Sequence, residues 1–162
     1  LSGSGKTTLA KKIVAGANKK LKNTVLVDGD IIREVFGNDL GYSMDDRLLN
    51  AQRICQIGKF LDEQGFNVVC AILSLFPETR DWNRDNIKDY YEVFIDVPID
   101  ILVDRDSKGI YAKYIKAEIS DVAGMDIHFP VPERADLVID NSKSKDDLLA
   151  YSDSIIEKIL QV

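Results

Sequence analysis

The first ten residues read LSGSGKTTLA, and the run from Gly3 to Thr8 brings together the residue types that hold a polyphosphate. Glycines let backbone N–H groups wrap phosphate oxygens, a lysine reaches the outermost of them, and the hydroxyl that follows ligates Mg²⁺. Gly3, Ser4, Gly5, Lys6, Thr7 and Thr8 are therefore the candidate nucleotide-binding residues, with Lys6 also a candidate catalytic cation and Thr7 a candidate metal ligand. ATP and Mg²⁺ are the expected cofactors. The motif needs a strand before it and one further glycine, both of which fall ahead of Leu1, so the numbering is expected to begin inside the motif.

Two more carboxylates suit the same chemistry. The stretch TVLVDGD reads as a buried strand ending in Asp28 and Asp30. In an open parallel sheet, ligands gather at the carboxyl ends of the strands, so both acids should face the phosphates. One is expected to support the metal and the other to orient or deprotonate an acceptor hydroxyl. In the next helical pattern, Ile54, Ile57 and Leu61 mark an apolar stripe that, followed backwards, meets Asn50 and Arg47 with Arg53 beside it. With Arg33 nearby, these guanidinium groups are expected to line an anionic pocket. Arg80 and Arg84, a helical turn apart, either extend that pocket or form a solvated face. Arg105 and Lys108 flank the entrance to a lid over about 108–132, where a lysine is placed to neutralise transferring phosphoryl oxygens. His128, Trp82 and the tyrosines at 90 and 91 are read as contact, core or rim residues.

These residues need a scaffold. Thr7 to about Leu21 reads as a helix whose positive end faces the phosphate, and Ile31 to Phe36 as a short second one. Ser43 and Asp46 resemble a capping box for a helix to Gln64, stopped at Gly65. NVVCAILS, EVFIDV and DLVIDN are strand patterns; PETRDWNRDNIKDYY, PIDILVDRD and the tail from Ser144 to Leu160 are helical ones. Alternating strands and helices predict an α/β three-layer sandwich of the P-loop NTPase type, with a five-stranded parallel sheet, helices on both faces and a lid, as a single domain over 1–162.

The 162-residue length suits one core. A formal charge of −6 argues against a nucleic-acid backbone as partner, and no apolar run has the length of a membrane span. A cytoplasmic protein with a small-molecule nucleotide acceptor is expected, with homodimer formation left open. Cys55 and Cys70 lack metal-like spacing and read as buried thiols. No Asn-Lys-x-Asp segment follows a later strand, which disfavours a GTPase.

Taken in order, LSGSGKTTLA, VDGDIIREVFGNDLGYS, DRLLNAQR, the stretch Ser74 to Arg84, EVFIDVP, RDSKGIY, AGMD and ADLVIDN resemble the adenylylsulfate kinases. These small P-loop kinases transfer the γ-phosphoryl of ATP to the ribose 3′-hydroxyl of adenosine 5′-phosphosulfate, making 3′-phosphoadenylyl sulfate in sulfate assimilation. The resemblance covers nearly the whole chain. It implies that Asp30 is the acceptor-side base, that Asp28 supports the metal, and that Lys108 is the lid lysine and Arg105 a nucleotide contact. It implies further that Arg33, Arg47, Asn50 and Arg53 hold the acceptor's anionic and ribose groups, with Tyr42 against its base and Ser74 and Gly124 lining the pocket.

The departures fall on the acceptor side. Where the family has Ser-Pro-Phe/Tyr-Arg, this chain reads Ser74-Leu75-Phe76-Pro77; where it has a lid Phe-Thr-Gly-Ile, this chain reads Val122-Ala123-Gly124-Met125. The usual acid before the helix asparagine is Leu49, and the proline-tyrosine segment of the lid is Ile127-His128-Phe129-Pro130. Losing one stacking face weakens base binding by roughly 1–3 kcal/mol, if aromatic stacking on single-stranded nucleic acid is a guide. The phosphoryl-transfer parts are intact, so a changed acceptor is expected. A related branch phosphorylates the 3′-hydroxyl of cytidine diphosphoramidate in building a capsular phosphoramidate, and a pyrimidine suits a less aromatic slot. The alternatives are an adenylylsulfate kinase, with Phe129 supplying the missing ring, and a non-catalytic nucleotide-sensing module. The second would show a damaged acceptor side, whereas Asp30, Arg33, Asn50 and Arg53 are all present.

Overall fold

In a computed structural model of the chain, which describes residues 1–161, the strand patterns become β1 (Thr24–Asp28), β2 (Asn67–Ala71), β3 (Val93–Asp96) and β4 (Leu137–Asp140). The last residue of the expected domain, Val162, lies outside the described residues. β1 pairs in parallel with β2, and β3 with β4, in registers that set Asp28 opposite Ala71 and Asp96 opposite Asp140. Each pair therefore presents its carboxyl ends together, where an open parallel sheet places ligands. The helices are α1 (Lys6–Ala17), α2 (Gly29–Val35), α3 (Met44–Glu63), α4 (Pro77–Asn86), α5 (Ile99–Arg105), α6 (Ile110–Ile115), α7 (Lys145–Ala150) and α8 (Ser152–Leu160).

The four expected strand patterns all form strands, in two pairs that share no ladder among the described residues; the fifth strand of the expected sheet is the one placed ahead of Leu1. A cavity of about 790 Å³ separates the pairs, lined by Val68 and Cys70 from β2, Phe94 and Ile95 from β3, and Leu9 and Ile13 from α1. The facing edges of β2 and β3 thus share no ladder. Cys70, expected to be buried, is instead exposed on the wall of this cavity. Cys55 is buried as expected.

Local chemistry sets most helix ends. Ser43 accepts the N–H of Asp46 and opens α3, and Ser144 with Asp147 forms a full capping box on α7. α1 stops at Ala17, short of the expected Leu21, because the Asn18 side chain turns to pair with both backbone groups of Thr24 and ties the helix to β1. α4 likewise ends at Asn86 when Ile87 adopts extended backbone. The tail is two helices and not one, broken at Tyr151, with the Ser152 hydroxyl donating to the carbonyl of Leu149.

The main apolar cluster joins Leu9, Ile13 and Ala17 of α1 to Ile95, Ile139, Leu102, Tyr111, Leu148 and Ile155, so the phosphate-loop helix is anchored to β3, β4 and the tail. α1 and α3 both pack on β2. The expected lid contributes one short helix, α6, and an isolated bridge between Ala123 and Ile127.

Arg80 and Arg84 neither extend an anion pocket nor form a solvated face. Glu92, at the start of β3, lies 3.5 Å from the Arg80 guanidinium and 3.3 Å from that of Arg84. Asp136 holds Arg84 at 3.1 Å and accepts the N–H of Glu92 at 2.7 Å. Asp136 first, then Glu92, raises the Arg84 pKa. These partners tie α4 to the β3–β4 pair. Removing the shared acid leaves a nearly buried guanidinium unpaired, so Glu92→Ala is expected to lower stability by about 3 kcal/mol or more, read as a shifted urea midpoint at unchanged slope.

Candidate active site

The loop before α1 takes a shape that only glycine adopts without strain at two positions. Gly3 has φ 73° and Gly5, at the helix cap, φ 95°. A Cβ on Gly5 would stand 2.5 Å from Leu148 Cδ2 and 3.1 Å from Asn141 Nδ2, so the packing also demands glycine. Ser4 is buried and Thr8 exposed on the first turn of the helix. Lys6 folds back to donate to the Leu1 carbonyl and to Ser4 Oγ. Burial above all, then the like charge of Lys108, pushes Lys6 down to about 8 against the attraction of Asp30 and Asp28.

The carboxylates stand where the strand pattern put them. Asp28, nearly buried at the end of β1, accepts the Thr7 hydroxyl at 2.7 Å and caps α2 by accepting the Asp30 N–H at 3.0 Å. Asp30 is exposed, and its Oδ2 accepts from the Lys108 ammonium at 2.5 Å. That bond raises the Lys108 pKa. The loop, the strand end and the lid entrance therefore meet at Lys6, Thr7, Asp28, Asp30 and Lys108, the residues singled out from their types and spacing. Arg105 is tied by a hydrogen bond to the Lys143 carbonyl, 3.1 Å away in the loop after β4.

On the acceptor side the cations are committed to one another's surroundings. Arg33 is buried, donates to the carbonyls of Leu40 and Gly41, and lies 4.8 Å over the Tyr42 ring. Arg47 approaches the same ring at 5.4 Å and donates to the carbonyls of Tyr42 and, from the lid, Asp121. Burial, followed by the charge of Arg33, lowers the Arg47 pKa. Arg53 is paired with both oxygens of Asp39 at 3.0 and 2.8 Å and lies 4.0 Å over Phe36. Asn50 is buried on α3, and its Oδ1 has no hydrogen-bond partner among the described residues. The expected stripe is shifted here: Asn50, Ala51, Ile54, Cys55 and Gly58 are the buried residues of α3, while Ile57 and Leu61 are half-buried.

Further residues have the following surroundings. Ser74 offers its carbonyl to Arg80 at 3.1 Å. Gly124 has φ 87°, and a Cβ there would come within 3.0 Å of Leu1 and 3.2 Å of Ile99, so it packs against the loop and α5. Phe129 stacks on Phe94 of β3 at 5.9 Å between ring centroids, and Val122 is buried in the main cluster. Neither supplies a second ring over Tyr42. Sequence reasoning missed Asp39 as partner of Arg53, Asp126 as acceptor of the Asp121 and Val122 N–H groups, and Tyr111 and Asn141 as donors to the Ser2 and Ser4 carbonyls of the phosphate loop. Asp39 sat inside a stretch legible only as turn chemistry.

The profile of the family described as adenylylsulphate kinase matches residues 1–140. The chain belongs to that family. It is 40% identical to a cytidine diphosphoramidate kinase of Campylobacter jejuni over 98% of this chain and 92% of that one. Its identity to an adenylyl-sulfate kinase of Clostridium kluyveri is 34%, over 86% and 70% of the two chains. Among solved structures it resembles the APS kinase of Mycobacterium tuberculosis in complex with AMPPNP and APS, with a TM-score of 0.88, 30% identity, and coverage of 99% of this chain and 93% of that one. The chain is thus a P-loop phosphotransferase of the α/β class. Among the described residues no helix is long and apolar enough to cross a membrane.

Because Lys6 stands near pH 8 without its ligand, a polyanion that raises its pKa must draw in a proton as it binds. ATP affinity is therefore expected to fall as pH rises above about 8, with net proton uptake, measured by titration calorimetry in buffers of different ionisation heat. An affinity that does not change from pH 7 to about 9.5 would exclude Lys6 as the titrating contact.

Proposed function

We propose that the chain transfers the γ-phosphoryl of ATP to the ribose 3′-hydroxyl of cytidine diphosphoramidate. The observation that carries the choice of acceptor is that Phe129 stacks on Phe94 while Tyr42 has two guanidinium groups over it and no ring stacked on it among the described residues. A single aromatic face gives a purine little of the advantage its larger π-surface has between two rings. The identity of 40% to the cytidine diphosphoramidate kinase, against 34–37% to adenylyl-sulfate kinases, points the same way.

In this reading the loop N–H groups and Lys6 hold the β- and γ-phosphates, and Arg105 borders the donor nucleotide. Arg33, Arg47, Arg53 and Asn50 frame the acceptor, Asn50 through the amide oxygen that otherwise lacks a partner. Asp30 takes the proton of the 3′-hydroxyl as the new O–P bond forms and the bond to the departing ADP breaks. Lys108, already at Asp30, is placed to follow the charge onto the transferring phosphoryl oxygens. No cluster of three His, Cys, Asp or Glu side chains suited to a metal exists among the described residues. The Thr7 hydroxyl and Asp28 carboxylate, in contact with each other, instead fit a hard cation that keeps most of its shell as water and phosphate oxygen. Bound there, Mg²⁺ would neutralise phosphate charge.

The test compares kcat/KM for cytidine diphosphoramidate and adenosine 5′-phosphosulfate with ATP and Mg²⁺. A clear preference for the cytidine compound is expected; preference for the adenine compound would overturn the acceptor and keep the reaction, and no turnover with either would favour a nucleotide-sensing module. Asp30→Asn is expected to cut kcat by at least about 100-fold, the lower range for a general base, with ATP affinity retained. Undiminished turnover in that variant would remove Asp30 from the role of base.

A further inference from the structure

Two buried side chains touch the phosphate loop from behind. Asn141, at the end of β4 and 4% exposed, donates through Nδ2 to the Ser4 carbonyl at 2.9 Å while its own N–H donates to Asp96 of β3, also at 2.9 Å. Tyr111, on α6 and 1% exposed, donates through its hydroxyl to the Ser2 carbonyl at 3.1 Å. A peptide unit is planar, with C=O and the following N–H pointing opposite ways. Fixing the Ser2 and Ser4 carbonyls outward therefore aims the N–H groups of Gly3 and Gly5 the other way. Those are glycines in left-handed conformation, the positions where a peptide plane turns over most easily.

We propose that Asn141 and Tyr111 are positioning residues that hold these two peptide planes so that the Gly3 and Gly5 N–H groups converge on the phosphates. Asn141 carries a further sign of this role. Among the described residues its Oδ1 is buried without a hydrogen-bond partner, so the side-chain hydrogen bond its amide does make goes to the loop. A buried polar side chain kept at that cost is accounted for by what its donor does. Tyr111 adds a link of a different kind, because it stands in the expected lid and near Lys108. The position of α6 and the aim of the Gly3 N–H are then mechanically joined. This rests on reading the loop as a triphosphate cradle and is independent of the acceptor.

The experiment measures ATP binding in the presence of Mg²⁺ by calorimetry on the full chain, for the unaltered protein, Y111F, N141A and N141T, alongside thermal unfolding without nucleotide. Each loss of one donor is expected to weaken ATP binding roughly threefold to tenfold. N141T returns a hydroxyl donor and is expected to recover part of that affinity, out of proportion to any change in melting temperature. Unchanged affinity in Y111F and N141A would overturn the assignment, as would a loss in all three variants that simply follows their melting temperatures. Failure of the unaltered chain to bind ATP would strike the cradle reading itself, so the two failures are told apart.

Discussion

A loop that binds an anion through its N–H groups must stay open when the anion is absent, and its outward carbonyls must be satisfied by something other than the ligand. The packing around residues 2–5 answers that constraint. Leu148 and Asn141 occupy the space a side chain on Gly5 would need, Ser4 is sealed, and the carbonyls of Ser2 and Ser4 are bonded from α6 and β4. β3 and β4 matter to the chemistry because their register brings Asp96 and Asn141 to the same end as Asp28. The apolar cluster then fixes α1 against that pair, so the aim of the loop is a property of the core.

The acceptor side obeys a different economy of charge. Guanidinium groups crowded around one tyrosine repel one another, and the depressed Arg47 pKa records that repulsion together with burial. They are tolerated because Arg33 Nη1 and Arg47 Nε and Nη2 meet backbone carbonyls of the 40–42 turn and of the lid. The same arginines that would meet an acceptor anion therefore shape the wall around it. Arg53, fully engaged by Asp39, is the one whose charge is least open to a ligand, and its stacking on Phe36 gives it a structural share in the turn.

What was legible in the sequence was local. LSGSGKTTLA, the Asp28-Gly29-Asp30 turn and the Ser43 cap are patterns over a few residues, and each appears with the geometry its residue types require. The Lys108–Asp30 contact spans 78 residues and was not expected: each residue was singled out alone, and no spacing rule reaches that far. Arg80 and Arg84 show the limit plainly. Their helical spacing was correct, but their role depended on Glu92 and Asp136, up to 52 residues away, which no pattern within α4 encodes. The strands themselves were legible for the same reason, as short apolar runs, but such runs do not say which edges lie within bonding distance, and the two pairs share no ladder among the described residues.

One tension remains built into the crevice of an otherwise acidic chain. Lys6 and Lys108 face the same few ångströms of space, and Lys6 holds its proton less tightly than a free lysine because of burial and that neighbour. Asp30 relieves part of the strain by binding Lys108, an arrangement that also keeps the carboxylate from its proposed work. A triphosphate changes both terms at once. On the proposed reading, its negative charge would accept the two ammonium groups more fully than a single carboxylate does, which would draw Lys108 off Asp30 and free that oxygen for the acceptor hydroxyl. Donor binding and exposure of the proposed base would then be one electrostatic event, with proton removal tied to the presence of a phosphoryl group to transfer.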